Sequence, residues 1–111
     1  MMEGLEERVE WIEDRFAIND LVVQYSIATD DRDIETLADL YTEDAVFEGS
    51  RGTIHGRQAI ADFYRERTAI QGPSFHIPYS HEVRRVSATE ARGMTLGAVE
   101  MALEGRAFWI A

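Results

Sequence analysis

From Leu5 to about Thr29, apolar residues recur with a helical period on two faces. Val9, Ile12, Phe16, Val23 and Ile27 line one face, and Ile18, Leu21, Val22 and Tyr25 line roughly the opposite one. The first half of this helix is acidic and solvated. The second half is apolar on two sides and is expected to be sandwiched inside the fold. A short second helix is predicted from about Ile34 to Tyr41, with Asp33 capping its free N–H groups. "TEDAVFEGS" reads as a turn leading into a strand, and "RGTIHG" as a short second strand. "GRQAIADFYRERTAI" then carries Ile60, Phe63, Tyr64 and Ile70 at helical spacing. Gly72 is expected to close that helix as its C′ residue, with Pro73 as the breaker.

Beyond Pro73 the period changes. "SFHIPYSHEVRRVSA", "EARGMTLGAVEMAL" and "RAFWIA" alternate or run apolar as strands, and "SATEA" and "LEGR" fit hairpin turns between them. The predicted order is α-α-β-β-α-β-β-β. Segregated helices and strands of this kind define an α+β domain, an antiparallel sheet curling around helices. Residues 1–111 form a single domain on this reading, without an internal repeat or linker.

Charge narrows the partners. With 21 acidic against 11 basic residues, the net charge is −10, a field that repels phosphate backbones and anionic membrane surfaces. The absence of cysteine excludes disulfides, thiolate nucleophiles and sulfur-ligated metals. The acidic start "MMEGLEERVEWIEDRF" lacks the regions of a signal peptide, and no apolar run has transmembrane length. The expected location is the cytoplasm, with no membrane and no nucleic-acid partner.

The candidate chemistry starts at "ATDDRDIETLADLY", where three aspartates fall within four residues. Asp33 is accounted for as a cap. Asp30 and Asp31 face the negative end of the first helix's dipole, where a carboxylate is disfavoured. On a helical wheel Asp30 shares the stripe of Phe16, Val23 and Ile27, and Asp31 lies about 100° away. Asp30 is therefore expected to point inward, which calls for a partner able to carry positive charge.

Three histidines are available. His55, at a loop-to-helix junction, is expected to be solvated. His76 and His81 share the first long strand but stand five apart, on opposite faces unless the strand is irregular, for which Pro78 offers a place. Without a spaced ligand motif, no metal site is expected. An Asp–His pair is the sharpest candidate, since an inward carboxylate fixes the imidazole tautomer and stabilises the imidazolium formed on proton uptake. Such pairs also arise merely to satisfy buried polar groups. Tyr25, Tyr41, Tyr64 and Tyr79 are expected chiefly to pack, with hydrogen bonding to a substrate oxygen as the functional alternative. The alternating Phe75, Ile77, Tyr79 and Val83 suggest an apolar sheet face, part of a core or of a dimer interface.

"AINDLVVQYSIATDDRDIETLADLYTEDAVFEG", "IHGRQAIADFYRER" and "FHIPYSHEVRRVSATEA" together resemble the SnoaL-like branch of the nuclear transport factor 2-like superfamily, from about Arg15 to Trp109. The resemblance implies a cone-like curved antiparallel sheet wrapped around a long N-terminal helix and two shorter ones. Dehydrochlorinase and dehydratase members of that branch use an aspartate–histidine dyad in a cone-shaped pocket. Residue by residue, the resemblance puts Asp30 at the dyad aspartate and His76 at the dyad histidine. Phe47 falls on a pocket aromatic, and Tyr25 on a pocket-lining position of the helix. Members of the branch continue through at least one more long strand, so the last strand or strands are expected to be missing here and the domain to be truncated. An apolar edge left open in this way implies a homodimer or higher homo-oligomer.

The expectation from the resemblance is a lyase or isomerase without cofactors. It would act on a small apolar cyclic molecule by proton abstraction, as in elimination, dehydration or ketosteroid-isomerase-like proton transfer. The alternative is a non-catalytic ligand-binding or assembly domain of the same fold.

Overall fold

The computed structural model describes residues 4–103 and 106–110. Helix α1 spans Leu5–Asp31, α2 Ile34–Asp39 and α3 Arg57–Ala69; the strands are β1 (Val46–Gly49), β2 (Gly52–His55), β3 (Gln71–Arg85), β4 (Ala91–Leu103) and β5 (Arg106–Ile110). The order matches the α+β expectation. β1 and β2 form one antiparallel pair, and β3, β4 and β5 form a separate antiparallel sheet in that order. No helix among the described residues is long and apolar enough to cross a membrane.

The junction between α1 and α2 sets the position of everything else. α1 runs two residues further than its apolar period indicates, so Asp30 belongs to its last turn. Arg32 ends it in a left-handed conformation (φ 57°), with its N–H donating to the carbonyls of Ala28 and Thr29. The Arg32 guanidinium then reaches the carbonyls of Thr68, Gln71 and Gly72 and ties this corner to the α3–β3 junction. A cation here also suits the negative end of the α1 dipole. Asp33 caps α2 as its sequence position implies, its carboxylate accepting from the backbone N–H and hydroxyl of Thr36.

The core lies between the helices. Ile60 and Leu37 are fully buried at 0% and 1% exposure, and with Ala28 and Tyr64 they form the central cluster. At about 25 cal/mol per Å² of apolar area buried, side chains of this kind contribute roughly 1.5–3 kcal/mol each.

Three expectations are corrected. α1 is not sandwiched: Phe16, Val23 and Ile27 are exposed, Phe16 at 67%, because the described residues packed against the helix, chiefly those of β3 and α2, leave that stripe uncovered. Gly72 does not cap α3, which ends at Ile70 in a right-handed conformation. It stands in β3, where an added Cβ would come within 2.9 Å of the Ala102 Cβ. Finally, the apolar row Phe75, Ile77, Tyr79 and Val83 is not one face. β3 slips register against β4 between Gln71 and Ser74 and again between Pro78 and Ser80. Each slip falls at a proline, which has no N–H to give to the ladder. The second one inserts an extra residue and reverses the alternation. His76, Pro78, His81 and Val83 therefore share one face with Val99, Gly97, Thr95 and Gly93 of β4, while Phe75 and Ile77 share the other with Leu96 and Met94.

Candidate active site

Asp30 and His76 meet where the last turn of α1 lies against β3. Asp30 Oδ1 accepts from His76 Nδ1 at 2.6 Å and from Ser74 Oγ at 3.0 Å, and Oδ2 accepts from the His76 backbone N–H at 2.9 Å. The two side chains are 19% and 18% exposed. These donors compensate the carboxylate for its place at a helix C-terminus, where the dipole opposes it. With the carboxylate ionised the bond places a proton on Nδ1, and in the neutral imidazole Nε2 then keeps its lone pair. Asp31, next in sequence, is exposed.

The wheel selects Asp30 on mistaken grounds. Its stripe, Phe16–Val23–Ile27, is the exposed one. Asp30 flanks the buried Ser26 and Thr29, and β3, packed against the last turn of the helix, supplies the cover that helical periodicity does not reveal.

His76 forms part of the wall of a cavity of about 470 Å³. α1 contributes Ile18, Leu21, Val22, Tyr25 and Ser26; the end of α2 brings Leu40 and Tyr41; the sheet supplies Ile77, Pro78, Thr95, Gly97, Ala98 and Val99. The volume suits a small organic molecule, and the lining is largely apolar with a few polar groups converging on it. Among the described residues, no group of three or more histidine, aspartate or glutamate side chains is placed to hold a metal ion.

Tyr25 stands edge-on to His76, with ring centroids 6.0 Å apart and planes at 87°. Its hydroxyl is 3.0 Å from that of Tyr64, which is 3.3 Å from that of Tyr41. Three phenols thus form a chain that starts beside the imidazole and runs into the core. Burial, and then the neighbouring phenol of Tyr25, raise the pKa of Tyr64 well beyond the usual phenol range; burial also raises that of Tyr41. Both keep their protons as donors. Phe47 lies behind this chain rather than among the cavity-lining residues, edge-on to Tyr64 at 5.9 Å and tilted against Phe63 at 5.4 Å.

Four contributors escaped the sequence reading. Ser74 was detectable in principle, since it stands two residues before His76 on a strand and so shares its face. The joining of Tyr25, Tyr41 and Tyr64 has no sequence signal, because each comes from a different stretch of the chain. Arg32 shows only as a lone cation beside acids. Thr95 depends on the β3 bulge.

A family model for the SnoaL-like domain matches residues 10–111, and the chain belongs to that family. Solved structures agree on the fold. A structure of LinA superposes with a TM-score of 0.86 at 22% identity, covering 92% of this chain and 72% of the other. The hexachlorocyclohexane dehydrochlorinase LinA-type3 from Novosphingobium barchaimii LL02 gives 0.84 at 21%, covering 92% and 73%. An NTF2-like protein with a cystatin-like fold from Novosphingobium aromaticivorans gives 0.76 at 25%, covering 98% and 75%. No curated protein matches the sequence.

Proposed function

We propose that this protein is a cofactor-independent lyase or isomerase that removes a proton from carbon in a small apolar cyclic molecule. The observation that carries this reading is the Asp30–His76 hydrogen bond set in the wall of an apolar cavity. His76 Nε2 takes the proton, and Asp30 holds the ring and offsets the charge that develops on it. The electron pair of the broken C–H bond then forms a C=C bond. In an elimination the leaving group departs with its own bonding pair. In an isomerisation the π pair of a conjugated C=O moves onto its oxygen as that C=C forms, and it moves back as the proton is returned at another carbon. Tyr25, backed by Tyr64, donates a hydrogen bond to that oxygen or to the leaving group. Phe47 serves by holding Tyr64 in place. Similarity to a protein described as a hexachlorocyclohexane dehydrochlorinase supports elimination as one form of this chemistry.

The exposed apolar side chains favour a second reading. Phe75, Tyr79, Met94 and Leu96 stand in solvent on β3 and β4, and we infer that a second copy of the chain covers them. A purely assembling or ligand-holding domain would show the same surface.

The deciding experiment follows deuterium uptake from D2O into cyclic ketones and β-halogenated rings that bind the cavity. Uptake lost in His76→Ala and much reduced in Asp30→Asn supports proton abstraction. Compounds that bind, yet exchange equally in wild type and His76→Ala, decide for a non-catalytic binder.

A further inference from the structure

One pair of groups in the cavity region is left over by the Asp30–His76 chemistry. His81 Nδ1 lies 2.6 Å from Thr95 Oγ1, while His81 Nε2 is shut off from solvent and has no hydrogen-bond partner among the described residues. Thr95 lines the cavity and His81 does not, so the hydroxyl stands between the imidazole and the cavity.

Two glycines of β4 flank this hydroxyl. The row of β4 that faces His76 reads Val99, Gly97, Thr95, Gly93. Thr95 is thus flanked on its own face by two glycines. Neither glycine has room for a side chain: a Cβ at Gly97 would fall 2.9 Å from the Ile77 carbonyl oxygen, and one at Gly93 would fall 2.8 Å from the Glu82 carbonyl oxygen and 3.3 Å from His81 Cε1. The bare backbone at Gly97 leaves the cavity floor open, and that at Gly93 makes room for the His81 ring.

The sealed nitrogen sets the direction of the hydrogen bond. In a neutral ring the proton sits on one nitrogen. If it sat on Nε2, a buried N–H would be left without an acceptor, and orphaned N–H groups are rarer than under-satisfied acceptors. With the proton on Nδ1, the ring donates to Thr95 Oγ1. The threonine hydroxyl is then left with its own proton to donate into the cavity.

We infer that Thr95, oriented by His81, is a second ligand contact that donates a hydrogen bond to an acceptor at the end of the ligand remote from His76. The inference rests on the cavity being a ligand site, as proposed above. Val99 pairs with His76, and Thr95 lies four residues further along β4, about 13 Å at strand rise. A ligand that reaches both is longer than a single six-membered ring. The class it fits is a fused-ring apolar compound with a carbonyl, hydroxyl or ether oxygen at its far end. Thr95 thereby acts on specificity, and His81 is a positioning residue.

The test uses two probes on the full chain, 2-acetylnaphthalene and 2-acetyl-6-methoxynaphthalene, with binding followed by shifts of the His76 and Tyr25 resonances. The methoxy probe is expected to bind about two- to tenfold more tightly than the parent, the range one hydrogen bond supplies. Thr95→Val should erase that preference, read as the ratio of the two probes' affinities within the variant, Thr95→Ser should retain it, and His81→Phe should weaken it. Long-range ¹H–¹⁵N spectra of the wild type, which need no variant, should show the His81 ring proton on Nδ1. A proton on Nε2, or a methoxy preference that is absent from wild type or survives Thr95→Val, overturns the inference and leaves the cavity reading standing. If neither probe shifts His76 or Tyr25, the cavity reading and the inference fall together.

Discussion

Asp30 and His76, 46 positions apart in sequence, share a 2.6 Å hydrogen bond, and the backbone N–H of His76 binds the same carboxylate. One aspartate thus fixes both the ring and the strand that carries it. Removing it leaves the Ser74 hydroxyl and the His76 N–H without their acceptor. Asp30→Ala is therefore expected to destabilise the fold by roughly 1.5–3 kcal/mol, the range for hydrogen bonds to a charged group. Ser74→Ala should cost about 0.5–1.5 kcal/mol. Urea unfolding midpoints of the two variants check the difference, and a larger loss for Ser74→Ala would count against Asp30 as the hub.

The phenol chain gives an alkaline signature. With the folded-state pKa values of Tyr64 and Tyr41 raised, their stabilising contribution is complete below the unfolded phenol value of about 10. Above that pH the unfolded chain releases protons that the folded one retains, so stability falls as pH rises. Tyr64→Phe should flatten this decline. Thermal unfolding between pH 8 and 11 measures it, and an unchanged slope in Tyr64→Phe would exclude Tyr64 as its source.

Leu37 and Ile60 join α2 and α3 to the base of α1. Leu37→Ala and Ile60→Ala should each cost about 2–5 kcal/mol, the range for emptying a fully buried aliphatic site. Because α2 is only six residues long and leans on this contact, the Leu37 variant should also lose amide protection throughout α2. Hydrogen exchange resolves this from a uniform loss.

Asp33 tests the cap. The Thr36 hydroxyl, and then its backbone N–H, hold the Asp33 carboxyl below its ordinary value. The cap's contribution is therefore complete above the unfolded value of about 4 and is lost as pH falls through the lowered folded value. Asp33→Ala should speed amide exchange at Thr36 at neutral pH and match wild type once the carboxylate is protonated.

The exposed apolar side chains of the β3–β4 sheet make a testable interface. Phe75→Lys, on the face opposite His76, is expected to shift sedimentation toward a single copy without changing the Asp30–His76 bond. Wild-type protein that sediments as a single copy at all concentrations would remove the case for self-association.

Chain order and most element types were legible in the sequence, because amphipathic helices and alternating strands advertise themselves through local periodicity. The cap at Asp33 was equally local. Asp30 and His76 stood out through their chemistry and through family resemblance, whereas the helical wheel pointed Asp30 along a stripe that is in fact exposed. Burial depends on what packs against a helix, and that is a property of the fold. The tertiary structure alone decided that β3 packs against the last turn of α1, that three tyrosines from separate stretches of chain share hydrogen bonds, and that Arg32 clamps the α3–β3 corner. It also decided the face of His81. One extra residue in β3 inverts the strand's alternation from that point on, and strand periodicity carries no record of where a ladder slips.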